Sequence, residues 1–305
     1  LADPGLPLVP ASWPVSCSPA FGRVIDAVRE ALPKTERRAW AVDECRRCHG
    51  FTENGATLCD WCERHQQQAM PIVTVPELPA DDIETGLPIE LLMPPGGSGL
   101  MQLFLQHVAA CAMYRQQDIE LAGALALMAT LTGRKVRDEM GTRTNCYLLC
   151  AAPSGSGKDF VRQCLKDLLR EACPEALELL GPERLASHAG LISELKASPC
   201  KLFPLDECHR LLATTKDARS PHLYNIASLL LTFWSSAGGL WIGDAYGDRD
   251  KTPRIWCPHA VVFGSATAEG LWGSIDSGNL QDGLVARFCV FAGDYQLPRQ
   301  VKPEP

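Results

Sequence analysis

The sequence predicts an α/β fold, a mostly parallel sheet with helices on both faces. Three observations predict it. Four short apolar runs, at residues 146–151, 202–205, 260–263 and 288–291, are continuous rather than alternating, as strands buried on both faces are. Stretches of helical spacing alternate with them, the pattern of a parallel sheet. A glycine-rich turn, residues 154–158, lies between the first run and a helix, giving the order strand, turn, helix.

Five zones follow along the chain. Residues 1–40 begin as a Pro-rich coil and pass into a helical pattern over 18–32, with Phe21, Val24, Ile25, Val28 and Leu32 on one face. Residues 41–66 carry two Cys-x2-Cys pairs. Residues 67–98 hold six prolines and no sustained period, the composition of a linker, and close on Pro94-Pro95-Gly96-Gly97-Ser98. Residues 99–298 form the α/β domain, and 299–305 a short tail. Within the domain, 100–114 and 119–131 read as apolar helices. Phe160, Val161, Cys164, Leu165, Leu168 and Leu169 recur at helical spacing, and 222–234 is a further helix.

Composition narrows the function classes. The 305 residues are 46% hydrophobic and 21% charged, which excludes a collagenous or wholly disordered chain. The 29 basic and 36 acidic residues give a net charge of −7, so coating nucleic acid by bulk charge is excluded and only local basic clusters remain for that role. The longest apolar runs, 226–234 and 122–131, fall short of the roughly 18–20 residues of a membrane span. The Pro-rich opening lacks the basic-then-apolar pattern of a signal peptide. The expectation is a soluble, cytoplasmic piece of a longer protein, without a membrane partner.

The sharpest motif is Ala152-Pro153-Ser154-Gly155-Ser156-Gly157-Lys158-Asp159. Glycines let backbone N–H groups approach a phosphate closely, the following helix directs its N-terminal dipole at the anion, and a lysine reaches the outer phosphates. Pro153, Ser154, Gly155, Ser156, Gly157, Lys158 and Asp159 are therefore the candidate nucleotide contacts, with Lys158 also catalytic. The motif departs from G-x4-G-K-[ST] twice: Ala152 stands at the first glycine, and Asp159 at the Mg2+-binding hydroxyl. Aspartate adds charge beside the phosphates, yet it is a hard oxygen donor able to hold Mg2+ directly or through water.

Forty-eight positions after Lys158, the run Leu202-Phe203-Pro204-Leu205 ends in Asp206-Glu207. An apolar strand ending in two carboxylates beside a phosphate loop suits an ATPase, with Asp206 holding Mg2+ through water and Glu207 polarising the attacking water. Next, 260–263 leads into Gly264-Ser265-Ala266-Thr267. There Ser265 or Thr267 either orients water against the γ-phosphate or caps a helix containing Leu271. Arg287, just before the last apolar run, is either a surface arginine or one that reaches the phosphates of a neighbouring subunit.

Residues 121–135 followed by the glycine-rich loop, Ala186-Ser187-x2-Gly190-Leu191, Leu205-Asp206-Glu207 and Gly283-x3-Arg287-Phe288 resemble the DUF3987 family, over roughly residues 90–298. That family comprises P-loop ATPases of phages, plasmids and mobile elements, often fused to a primase. The resemblance implies a RecA/AAA+-like P-loop domain acting as an ATP-driven helicase or helicase-primase component. Its partners would be single-stranded DNA, further copies of itself in a ring, and a fused or separate primase. Two rivals stand beside it: an ATP-dependent switch or remodeller of protein complexes, and a non-hydrolysing nucleotide-binding module, suggested by Ala152 and Asp159.

Of the 14 cysteines, ten are scattered, mostly in apolar segments where a thiol packs as a small hydrophobe. Cys45, Cys48, Cys59 and Cys62 are different. Two Cys-x2-Cys pairs separated by ten residues supply four thiolates for a tetrahedral Zn2+, as in a zinc ribbon. So short a segment has little core, and the metal would be its main source of stability. Lys34, Arg37, Arg38, Arg46, Arg47 and Arg64 surround it, a local basic surface for DNA or for a protein partner. Elemental analysis of chain purified without added metal is expected to find about one zinc per chain. Stripping it with a chelator should free these four thiols to modification, and disulfides pairing them would overturn the assignment.

Overall fold

Apolar side chains throughout, with no charged residue to face water, make Tyr147–Ala151 a strand that must be covered on both sides. The computed structural model, which describes residues 19–31, 99–138, 140–213, 221–245, 252–275 and 283–293, places it inside a parallel sheet. In chain order the elements are α1 (Pro19–Ala31), α2 (Leu100–Cys111), α3 (Gln117–Thr132), β1 (Tyr147–Ala151), α4 (Lys158–Ala172), α5 (Pro174–Leu177) and α6 (His188–Ala197). These are followed by β2 (Cys200–Leu205), α7 (His209–Ala213), α8 (Pro221–Ser235), β3 (Leu240–Ile242), β4 (Arg254–Trp256), β5 (His259–Ala266), α9 (Ala268–Ser274) and β6 (Phe288–Ala292). The expected α/β class, with a mostly parallel sheet and flanking helices, is the observed one. The paired cysteines Cys45, Cys48, Cys59 and Cys62 and the linker lie outside the described residues.

The four-stranded sheet has the order β2-β5-β1-β6, all parallel. Side chains alternate across it. Leu148 and Cys150 of β1, Leu202 of β2, and Val261 and Phe263 of β5 join one core with α1, α2, α3 and α4. Tyr147, Leu149 and Ala151, with Phe203, Leu205, Ala260 and Val262, join the other with α6, α7, α8 and α9. Helix α1 belongs to the first layer: Val24 and Val28 are fully buried, and Arg29 donates to the carbonyl of Ala172 at the end of α4. Among the described residues no helix is long and apolar enough to cross a membrane.

Several boundaries differ from the sequence expectation, for identifiable reasons. Strand β5 runs on to Ala266, so Gly264 and Ser265 are strand and not turn. Both neighbours continue to pair with it, Leu205 with Gly264 and Cys150 with Ser265. Gly264 has no side chain because a Cβ there would stand 2.6 Å from Cys208. Helix α2 stops at Cys111, three residues short of the expected end. The antiparallel pair β3–β4 was not foreseen, since three residues per strand carry no readable period. Of the scattered cysteines that are described, six are buried, Cys146 and Cys173 are partly covered, and Cys289 on edge strand β6 is exposed. Burial pushes the Cys208 thiol up to about 12.

Two fully buried histidines make the fold sensitive to acid. Burial lowers the imidazole of His107 to about 4. It lowers that of His259 to about 3, and the charges of Arg134 and Arg143 push the same way. The His259 Nε2–H donates to the Ala129 carbonyl at 3.0 Å, which requires no second proton. Both values lie below the unfolded one near 6.5, so below that pH the unfolded chain binds more protons than the folded one. Stability is therefore fully present above pH 6.5 and falls as pH drops toward 4, by up to about 1.4 kcal/mol per pH unit for each histidine. His259→Gln keeps an Nε2 donor and cannot titrate. Its unfolding midpoint, followed by circular dichroism between pH 7 and 5, should fall less steeply than that of the unmodified chain.

Candidate functional site

Strands end where the chain must turn, and in a parallel sheet their C-terminal ends share one edge, the usual place for a ligand crevice. Here that edge carries the glycine-rich loop after β1, Asp206-Glu207 after β2, and Ser265 near the end of β5. Because β5 lies between β1 and β2, it sets the spacing between the loop and the carboxylates.

The loop is built for close approach. Gly155 and Gly157 have φ of 76° and 87°, a left-handed conformation that glycine adopts without strain. Gly157 is also the N-cap of α4 and supplies no side-chain cap, so the first N–H groups of this 15-residue helix have no side-chain acceptor from that position. Lys158 begins the helix, is buried, and directs Nζ toward the Pro153 carbonyl at 3.4 Å. Ser154 and Gly155 are exposed at the tip. The buried Ser156 hydroxyl has no hydrogen-bond partner among the described residues. A glycine-rich turn at the N-terminus of a helix, an ammonium and a hydroxyl without a partner among the described residues suit a polyoxyanion.

One wall of the loop was missed at the sequence level. Gln116, the buried N-cap of α3, donates from Nε2 to the Ser156 carbonyl at 3.1 Å. A Cβ on Gly157 would lie 3.2 Å from Tyr114 Cβ. The segment is braced by Arg115, which grips the buried Glu120 carboxylate with Nε and Nη2 at 2.8 and 2.7 Å, while the Gln116 N–H donates to the same carboxylate at 3.1 Å. Nothing local marks residues 114–116, which lie between two helices.

Beside the loop the acidic residues come together. The buried Ser265 hydroxyl lies 3.3 Å from Asp159 Oδ1 and 3.2 Å from Asp206 Oδ1. The register explains this: Gly264 pairs with Leu205, so Ser265 stands level with Asp206, while Cys150 on its other side leads into the loop. Arg162, one turn after Asp159 on α4, reaches Asp206 Oδ2 at 3.3 Å and Asp159 Oδ1 at 3.6 Å with Nη2, and pairs with Glu183 through Nη1. Arg162, Lys166 and Glu183 were not among the expected site residues. Among the described residues no group of three or more His, Cys, Asp or Glu is placed to hold a metal ion. Two carboxylates and one hydroxyl, all hard oxygens, do converge.

The other candidates are placed differently. Glu207 is exposed, has φ of 47°, and its carboxylate meets Arg210 Nη2 at 2.5 Å. Thr267 caps α9, its hydroxyl accepting from the Gly270 N–H at 3.1 Å. Arg287 lies in a 3-10 turn before β6 and donates to the Gly283 carbonyl at 2.8 Å. Phe288 pairs with Tyr147, the first residue of β1, so Arg287 is at the opposite edge of the sheet from its own chain's glycine-rich loop. No protein-family model matches this chain, and no curated protein is significantly similar to it.

The two left-handed glycines separate conformational from steric cost. A Cβ on Gly155 meets nothing within 4 Å, whereas on Gly157 it crowds Tyr114. Gly155→Ala is expected to cost about 1 kcal/mol, and Gly157→Ala about 2 kcal/mol or more, in urea unfolding. Equal losses would mean that the Tyr114 contact yields freely.

Proposed function

We propose that the chain is a P-loop nucleoside triphosphatase that hydrolyses ATP to drive work on DNA. The observation that carries the nucleotide reading is the convergence of the glycine-rich loop, buried Lys158 and the pair Asp159–Asp206 across Ser265 at the C-terminal edge of a parallel sheet. The backbone N–H groups around Gly155 and Gly157 would receive the phosphates, and Lys158 would exchange the Pro153 carbonyl for an outer phosphate oxygen. Asp159 and Asp206 fit a magnesium ion, whose remaining positions phosphate oxygens and water would fill, as is usual for this metal. The ion supplies charge neutralisation of the phosphates. Ser265 holds the two carboxylates at a common point, and Glu207 would accept a proton from the attacking water or orient it, after leaving Arg210.

The DNA motor reading rests on the resemblance of residues 90–298 to the mobile-element ATPases. A zinc module with basic neighbours would supply a local DNA-contacting surface on an otherwise acidic chain. Arg287, remote from its own loop, would serve a neighbouring subunit in a ring. A non-hydrolysing nucleotide-binding module is the second reading, favoured by the ion pair that holds Glu207 to Arg210.

ATP turnover with and without single-stranded DNA tests these readings together. Stimulation by DNA supports the motor, turnover indifferent to DNA supports a switch or remodeller, and binding without turnover supports the module. Lys158→Ala should weaken ATP binding by about 10- to 100-fold, the worth of a charge-assisted hydrogen bond. Glu207→Gln should bind normally but turn over at least about 100-fold more slowly. Normal turnover by Glu207→Gln would move the general base elsewhere.

A further inference from the structure

Arg162 is the least expected member of the acidic cluster. Its side chain is 13% exposed, whereas those of Asp159 and Asp206 are 56% and 54% exposed, so the guanidinium lies on the inner side of the two carboxylates. The Ser265 hydroxyl has one proton and can donate fully to only one of the two Oδ1 atoms near it. The charge of the second carboxylate is left to another group. Arg162 Nη2 touches both. It cannot lose its proton, so only movement of the side chain, and not a change of pH, removes this compensation.

The other half of the guanidinium is already engaged elsewhere. Nη1 pairs with Glu183, which also receives Lys166 Nζ at 2.6 Å. Asp159, Arg162 and Lys166 follow one another at helical spacing along one face of α4. The Asp206 N–H donates to the Glu183 carbonyl at 3.2 Å, which ties this second anchor to the end of β2. The cluster thus has three carboxylates and two cations, Lys166 and an Arg162 with one hand on each end. Its Nε is buried and has no hydrogen-bond partner among the described residues, so the present arrangement does not satisfy the whole guanidinium.

We propose that Arg162 competes with a divalent cation for Asp159 and Asp206, and that metal is admitted when the guanidinium withdraws onto Glu183. This regulation rests on the nucleotide-site reading, but the competition itself is a property of the metal and these side chains alone. A cation close to two carboxylates lowers their affinity for another positive ion, as it lowers their affinity for a proton. Arginine is matched to this task because its planar fork holds the aspartate pair with Nη2 and Glu183 with Nη1, two separate arms that a lysine ammonium lacks.

The test uses the full chain and Mn2+ alone, read by electron paramagnetic resonance without nucleotide. Arg162→Met keeps an apolar stem and removes the charge. It should bind Mn2+ about tenfold more tightly than the unmodified chain, by analogy with the one-unit or larger effect of a neighbouring charge on a carboxylate. Adding Asp206→Asn should abolish that gain. Arg162→Lys, which retains charge and is the milder change should the methionine variant not fold, should show a smaller gain. Unchanged or weaker Mn2+ binding in Arg162→Met or Arg162→Lys, or a gain that survives Asp206→Asn, would overturn the proposal. A fluorescent ATP analogue, titrated in parallel, judges the nucleotide reading separately: absence of analogue binding would sink that reading while the metal result still decides Arg162.

Discussion

The insertion of β5 between β1 and β2 is the constraint on which the site depends. If the loop strand and the carboxylate strand were neighbours, Asp159 and Asp206 would be brought together with no group between them. With β5 interposed, Ser265 stands between them and both carboxylates meet one hydroxyl. Gly264 makes the insertion possible at this edge, because Cys208 must pass where a Cβ would be, and the Cys208 N–H bonds the Ser265 carbonyl at 2.8 Å. Close packing of the Cys208 side chain on the strand backbone thus fixes a polar arrangement that no single residue could hold.

Charge completes what packing begins. The positions of Asp159, Arg162 and Lys166 on one face of α4 oppose Asp206 and Glu183, which come from outside the helix. Most of these carboxylates are about half exposed, so each pair taken alone contributes little to stability. Their weight is in geometry: with several partners for each charge, the network holds Asp159 and Asp206 at one point beside the loop. The brace formed by Arg115, Glu120 and Gln116 is of a different kind. Glu120 is buried and multiply bonded, and it holds the wall of the loop still.

Much of the frame was legible because burial on both faces leaves a plain mark. The runs that became β1, β2 and β5 are apolar without alternation and buried throughout, and the Gly-rich turn stands between strand and helix as expected. Strand β6 has the same apolar run but lies at the edge of the sheet with Cys289 and Val290 exposed, so there the run marked a strand and not burial on both faces. The readings that stayed open at Ser265 and Thr267 divided between the two residues. Ser265 meets the acidic pair, while Thr267 is a helix cap. Tyr114, Gln116, Arg162 and Glu183 carry no local signal, since their importance arises from contacts 21 to 44 or more positions away in sequence, as in Arg162 with Asp206 or Gln116 with Ser156.

The sequence by itself determined the fold class, the elements of the sheet and the loop geometry that two left-handed glycines permit. These are local matters, set by period, side-chain type and backbone freedom. Only the tertiary structure decided strand order, the partners of each carboxylate, and which end of the sheet Arg287 occupies. The physical reason is that strand pairing and ion pairing join residues distant along the chain, whose proximity depends on register and packing, neither of which is written into any one segment.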